Sequence, residues 1–364
     1  MTIKFLDLHS QYLSIKNQID DAIKSVISET AFIGGKYVKQ FENEFAEFQK
    51  SKFCVGVANG TDALEIAIEA LSLPKKSEII VPGNSFIASS EAVTRCGHRV
   101  VFADVDSECY TINAETIRPK ITSATAAIVA VHLYGHPCDM DSILEIAAEF
   151  QLRVIEDCAQ AHGAVYKGRR VGTIGDIGTF SFYPGKNLGA YGDAGAIVTN
   201  DESLSIICRK IANHGRIAKY DHDLEGRNSR MDALQAAILS VKLPHLEGWT
   251  KKRVDIADYY FESLQNVPDL ILPVRKTWAH QVYHLFVIRS NKRDPLKNYL
   301  AKQGIETGIH YPVALPKLAA YAYLNQANEE SFVNESDATL LSLPIGEHLT
   351  ISDMEYVTSA IKTF

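Results

Sequence analysis

The stretch SFYPGKNLGAYGDAGA, residues 181–196, sets one lysine among glycines and hydroxyls directly after a short apolar run. Lys186 can be an exposed loop amine, a cation that grips phosphate, or a covalent catalyst. A Walker-type loop needs Gly-x-x-x-x-Gly-Lys followed by Ser or Thr; Asn187 follows here, and residues 179–183 hold no glycine at the required offset. Other residues bear on the two readings that remain. VIEDCAQAHGA, residues 154–164, ends an apolar run with Glu156 and Asp157. A carboxylate at such an edge needs a cationic or hydrogen-bonding partner to offset its lost hydration, and a pyridinium nitrogen would serve. ANGTDALEIAIEAL, residues 58–71, puts Gly60, Thr61 and Asp62 at a helix start. That is either a phosphate seat, with free N–H groups and the positive end of the dipole, or a plain N-cap. Ser181 adds a hydroxyl near the same strand ends, and Phe86 in PGNSFIAS offers a flat apolar face. A phosphate seat, a buried carboxylate, an aromatic face and a lysine are the groups that pyridoxal phosphate asks of a protein.

These residues must be positioned by a larger framework. Short apolar runs at 77–83, 99–106, 126–135, 152–160, 178–185 and 195–201 read as buried strands. Between them, DALEIAIEALS and MDSILEIAAEFQ carry apolar residues at i, i+3 and i+4 and read as helices. This alternation predicts an α/β fold with a mostly parallel central sheet and helices on both faces, its functional groups gathered at the carboxyl ends of strands. Residues 232–265 read as a long helical stretch interrupted near Pro244, bridging a large domain over 1–240 to a smaller C-terminal α+β domain over 241–364. The smaller domain holds one predicted strand, 282–290, and two helices, DPLKNYLAKQG and ISDMEYVTSAIKTF.

Composition narrows the function classes. The 364 residues are 46% hydrophobic and 22% charged with a formal net charge of −7, a chain that folds and has no general affinity for nucleic acid. Six cysteines lie scattered without C-x-x-C pairs, several inside apolar runs, the pattern of buried free thiols in a reducing cytoplasm. No uncharged apolar stretch reaches the roughly 18 residues of a membrane span, and the N-terminus MTIKFLDLHSQYLSIK lacks an apolar targeting core. A cytoplasmic protein is expected. His132 and His136 in HLYGH have a metal-like spacing but straddle a strand end without a nearby carboxylate, so no metal is assigned. His284 alternates with apolar neighbours and reads as a packed strand residue.

Five ordered motifs carry a resemblance over nearly the whole chain: NGTDAL (59–64), EDCAQAHGA (156–164), SFYPGKNLGAYGDAGAIVTND (181–201), GRNSRMDALQAA (226–237) and IHYP (309–312). The sequence resembles the pyridoxal-phosphate-dependent nucleotide-sugar aminotransferases of the DegT/DnrJ/EryC1/StrS type, most nearly those acting on 3-keto-6-deoxyhexoses. The resemblance implies an aspartate-aminotransferase-like architecture (fold type I). Lys186 would hold the cofactor covalently and then shuttle a proton as the free amine, and Asp157 would keep the ring nitrogen protonated. Gln160 would sit near the ring hydroxyl and Phe86 would stack on the ring. Gly60, Thr61, Asp62 through its backbone, and Ser181 would hold the phosphate, with Asn228 reaching it from the neighbouring subunit of a homodimer with shared active sites. Two departures are visible: Cys158 and Ala194 stand where the family often has alanine and glycine, and both are small and apolar.

The resemblance further implies a two-stage transamination. L-Glutamate would load the cofactor to pyridoxamine 5′-phosphate, which would then aminate a nucleotide-linked keto sugar, here C3 of a dTDP-3-keto-6-deoxyhexose. Relatives that remove a hydroxyl carry histidine at the lysine position, whereas this chain keeps Lys186. A UDP-linked 3-keto uronate shares the motifs, and a catalytically silent cofactor-binding regulatory protein is the reading from a different class. Tyr183, Arg216, His310 and Tyr311 are the candidate substrate contacts; Arg216 has the planar fork that suits oxyanions. The same four are equally compatible with packed or solvated roles.

Overall fold

The computed structural model describes residues 2–327 and 330–364. Its central sheet has seven strands: β1 (Phe53–Val57), β2 (Glu78–Pro82), β3 (Arg99–Ala103), β4 (Thr125–Val131), β5 (Arg153–Asp157), β6 (Ile177–Ser181) and β7 (Gly195–Thr199), in spatial order β1-β7-β6-β5-β4-β2-β3. The expected α/β class with a mostly parallel sheet is what the chain adopts. Only β7 runs against the others, pairing antiparallel with both β1 and β6. Val, Ile and Ala dominate because both faces are covered. Strand parity divides them: Ile128, Ala130 and Val154 join one apolar cluster with Phe41, Phe45, Phe180 and Phe182. Val129, Val131 and Ile155 join the other, with Leu64 and Ile66 of the helix Gly60–Ala70.

Two sequence expectations change. The strands are shorter than their apolar runs: β4 stops at Val131, where His132–Gly135 turn away and Tyr134 takes φ 58°. β5 stops at Asp157 and β6 at Ser181, so the chemical residues stand at the strand ends. β1 is absent from the expected strands; its run is brief, with a glycine in the middle.

The helical stretch after residue 232 is broken as expected, with helices Ala233–Lys242 and Leu246–Leu264 joined by a tight turn containing Pro244. The latter helix packs with Phe286–Arg289, paired antiparallel to Leu340–Leu343, and with helix Ile351–Thr363 around Tyr260, Phe286, Leu343 and Val357. The N-terminal segment joins this cluster, Ile3 N–H donating to the Gly304 carbonyl at 2.8 Å. A later segment folds back onto the sheet: Leu315 N–H donates to Gly83 O at 2.8 Å, and Asp104 accepts from Phe332 and Val333 N–H at 2.8 and 3.0 Å. That return brings residues 308–316 over the strand ends. Among the described residues no helix is long and apolar enough to cross a membrane, and all six cysteines are free thiols.

Candidate active site

Register builds the site. Val57 and Ser181 both pair with Gly195 across β7, so the end of β1, the end of β6 and the start of β7 lie side by side. The chain leaves β1 through Asn59 directly into the helix Gly60–Ala70. Contact there is close: a Cβ on Gly60 would stand 2.5 Å from Ser181 Cβ, and one on Gly195 would stand 2.4 Å from the Asn59 carbonyl oxygen. Glycine is required at both positions by space, not by φ. Asn59 caps the helix, Oδ1 accepting from Asp62 N–H at 2.8 Å. The Asp62 amide is therefore already engaged, while Gly60 and Thr61 N–H have no intrahelical acceptor.

One strand over, β5 ends on the two acids, and parity separates them. Glu156 points into the protein, fully buried, accepting from Gly172, Ile174 and Gly175 N–H at 2.7 Å each. His132 Nε2 lies 3.0 Å from it. Burial alone would raise the Glu156 pKa, but His132 and these amides hold it below the usual range. The carboxylate partner that the sequence reading denied His132 is thus Glu156, 24 residues away. His132, Glu156 and Cys158 could be grouped as metal ligands by proximity. His132 Nδ1, however, accepts from Cys138 N–H at 2.9 Å and Nε2 faces Glu156, so the imidazole is spent in a closed network. His136 lies against the Pro137 carbonyl and the Trp278 ring. Burial holds the Cys158 thiol well above its ordinary pKa, consistent with packing.

Asp157 points the other way. It lines a cleft of about 1160 Å³ together with Gly60, Thr61, Asp62, Phe86, Gln160, Ser181, Tyr183, Lys186 and Tyr311. The structure thus brings together ten of the candidate residues from five separated segments. Asp157 Oδ1 accepts from Ala159 N–H at 3.1 Å and Oδ2 from Ser89 Oγ at 2.8 Å. Gln160 is held at both ends, Oε1 accepting from Tyr134 N–H at 2.7 Å and Nε2 donating to Tyr311 Oη at 3.1 Å. Phe86 is 53% exposed into the cleft, 5.7 Å centroid to centroid from Tyr311. Burial, then the Asp157 charge, pushes the Tyr311 phenol up to about 12, so it is a neutral O–H donor.

Lys186 stands in the same cleft. Desolvation lowers its pKa to about 8, against the opposing pull of Asp157. Its Nζ makes no hydrogen bond or ion pair among the described residues. An exposed loop lysine would not show the desolvation. Three histidines near it, His162 buried and His284 and His310 partly buried, are held neutral. His162, between Phe180 and Phe182, is pulled to about 3 and His310 to about 4, each by burial and then by the Lys186 charge; His284 lies well below its ordinary value for the same reasons. The loop is clamped from outside: fully buried Lys242 donates to the Gly189 carbonyl at 2.7 Å, and Asn187 donates to Val282 O at 3.0 Å.

Three candidates stand elsewhere in the single chain. His310 Nδ1 meets Ser342 Oγ at 2.8 Å and its ring stacks on Phe5. Arg216 lines a separate cavity of about 420 Å³ with Arg209 and Arg230. Asn228 is bridged to Asn213. Sequence reasoning missed Ser85, Ser89, Tyr134 and the outer cleft group, in which Arg227 pairs with Glu65 and Glu69 and Arg95 pairs with Glu65 at 2.9 Å. Nothing in their local sequence distinguishes them.

These residues fit pyridoxal phosphate. A desolvated, unpaired amine and an acceptor-only carboxylate share one cleft, an exposed aromatic edge lies beside them, and a glycine too tightly packed for any Cβ opens a helix toward the same space.

The chain belongs to the DegT/DnrJ/EryC1/StrS aminotransferase family, whose model matches residues 13–362. It is a sugar aminotransferase. It is 44% identical over 364 residues to the "dTDP-3-amino-3,6-dideoxy-alpha-D-galactopyranose transaminase" of Aneurinibacillus thermoaerophilus, covering 100% of this chain and 99% of that one. It is 42% identical to the "Erythromycin biosynthesis sensory transduction protein EryC1" of Saccharopolyspora erythraea, covering 100% and 99%. The "UDP-2-acetamido-2-deoxy-3-oxo-D-glucuronate aminotransferase" of Pseudomonas aeruginosa is 37% identical, covering 99% of each. Among solved structures, S. venezuelae DesV "in complex with ketimine intermediate" superposes with a TM-score of 0.96 at 40% identity, covering 100% of this chain and 98% of that one. NtdA of Bacillus subtilis "with bound cofactor pmp" gives 0.91 at 30% identity, covering 99% and 84%.

Proposed function

We propose that the protein transfers the amino group of L-glutamate to C3 of a dTDP-linked 3-keto-6-deoxyhexose, releasing 2-oxoglutarate and the 3-amino sugar nucleotide. The reading is carried by one observation: the depressed, unpaired amine of Lys186 and the carboxylate of Asp157 line one cleft under the Gly60 helix end. Pyridoxal phosphate bound there supplies an electron sink and carries nitrogen from donor to acceptor. Gly60 and Thr61 N–H with Ser181 Oγ would receive its phosphate. Asp157 would hold the proton on its ring nitrogen, and Phe86 would cover one ring face. Lys186, poised near neutrality, takes and returns the proton at the substrate carbon. Tyr311 and Tyr183, which line the cleft, would meet the sugar, with His310 behind Tyr311. Asn228 and Arg216 would serve the cleft of a second subunit in a cytoplasmic homodimer, with the chain divided near residue 240 into cofactor and closing units.

The dTDP-sugar relative, at 44% identity, supports this substrate class. A UDP-linked 3-keto uronate is the second reading, supported by the Pseudomonas relative. Mass spectrometry of a panel of keto-sugar nucleotides incubated with enzyme, cofactor and L-glutamate tests both. Replacement of the keto oxygen by an amine is expected on the dTDP-3-keto-6-deoxyhexose, and amination of the UDP uronate alone would reverse the choice. A silent regulatory protein would aminate none.

A further inference from the structure

Asp157 is held by a hydroxyl chain that none of the roles above uses. Ser89 Oγ lies 2.8 Å from Asp157 Oδ2 and 2.7 Å from Ser85 Oγ. The three residues are 2%, 4% and 4% exposed for Ser89, Asp157 and Ser85. Proton direction follows from the chemistry. An ionised carboxylate only accepts, so the single Ser89 proton goes to Asp157, and the second contact of Ser89 must be accepted from Ser85. The chain therefore runs one way, from Ser85 through Ser89 to Asp157. With Ala159 N–H on Oδ1 at 3.1 Å, both carboxylate oxygens are fixed, and their remaining lone pairs are directed. Phe86 lies between the two serines and protrudes into the cleft, and the Phe86 carbonyl accepts from Ser89 N–H at 3.1 Å. One five-residue segment, 85–89, thus sets both an aromatic face and the orientation of the acid.

We propose that Ser89, backed by Ser85, is a positioning residue for the cofactor's ring nitrogen, acting through Asp157. The inference rests on the reading that Asp157 pairs with that nitrogen. In this role Ser89 acts by fixing the carboxylate of Asp157 rather than by binding the cofactor, although it borders the same cleft.

The test is a titration of pyridoxal 5′-phosphate into the cofactor-free full-length protein, followed by visible absorbance, with thermal melting as a check on folding. Ser89→Ala is expected to raise the dissociation constant about tenfold, the size of one charge-assisted hydrogen bond, and Ser89→Thr, which keeps the hydroxyl, to stay within about twofold of wild type. Ser85→Ala, one bond further out, should cost about threefold and add nothing once Ser89 is replaced by alanine. The decisive arm is the double variant with Asp157→Asn. If Ser89 acts through the carboxylate, Ser89→Ala adds no further loss to a protein already carrying Asp157→Asn. Equal losses from Ser89→Ala with and without Asp157→Asn would overturn the proposal, as would wild-type affinity for Ser89→Ala. Wild-type affinity for Asp157→Asn alone would overturn the assignment of Asp157 itself, a result distinct from failure of the relay.

Discussion

Glu156 and Asp157 are adjacent in sequence and face opposite sides of the sheet: one is sealed beneath three backbone amides and His132, the other opens into the cleft with Lys186. The two should fail differently when neutralised. Glu156→Gln replaces one acceptor oxygen by a donor against buried N–H groups and should cost about 3 kcal/mol of stability, read as a lowered melting temperature. Asp157→Asn should melt near wild type and lose turnover by about a thousandfold, since it removes the proton holder from the reacting ring. Equal stability losses would mean that the two side chains share one environment.

Lys186 should titrate apart from the surface lysines. In cofactor-free protein, amine-selective labelling read by mass spectrometry should show its reactivity rising through pH about 8, against about 10.4 for exposed lysines. A lysine whose folded pKa is depressed penalises the fold most below about 8, where both states are protonated. That penalty is relieved as pH climbs from there toward the ordinary lysine value. A midpoint in the ordinary lysine range would remove the basis for its catalytic role.

Gly60 and Gly248 make a matched pair. A methyl at Gly60 meets Ser181 Cβ at 2.5 Å, whereas one at Gly248, exposed on helix Leu246–Leu264, meets nothing within 4 Å. Gly60→Ala should weaken pyridoxal phosphate binding at least about tenfold and destabilise by about 1–3 kcal/mol. Gly248→Ala should stabilise by about 0.5–1 kcal/mol through helix propensity and leave cofactor affinity unchanged. Cofactor titration and melting curves of the two variants separate the effects.

The proposed sharing of sites between subunits predicts complementation. Lys186→Ala and Asn228→Ala proteins, each inactive or nearly so, should recover activity when unfolded and refolded together, because a mixed dimer carries one site with both residues intact. Recovery absent despite mixed dimers, verified by differential tagging, would place Asn228 outside the partner's site.

Much of this site is legible in the sequence because its elements are local. Apolar runs mark six of the seven strands, and NGTDAL carries both the cap and the proposed phosphate seat in consecutive residues. Strand direction is not legible: β7 reads as apolar as its parallel neighbours, and only pairing with β1 and β6 reverses it. The opposed fates of Glu156 and Asp157 depend on which face of β5 meets the cleft, which no local pattern states. Ser89 is invisible to such patterns because its partner lies 68 residues on, and His132 lacks its carboxylate there for the same reason. Asn228 rests on motif and Arg216 on its planar fork, and in the single chain neither lines the cleft.

The most direct measurement is the donor half-reaction followed by absorbance and product analysis together. Purified protein given pyridoxal 5′-phosphate should gain a visible band that L-glutamate bleaches, with one 2-oxoglutarate released per active site and no bleaching in Lys186→Ala. A protein that stays colourless with the cofactor, or a band that amino donors leave unchanged, would contradict the account at its root.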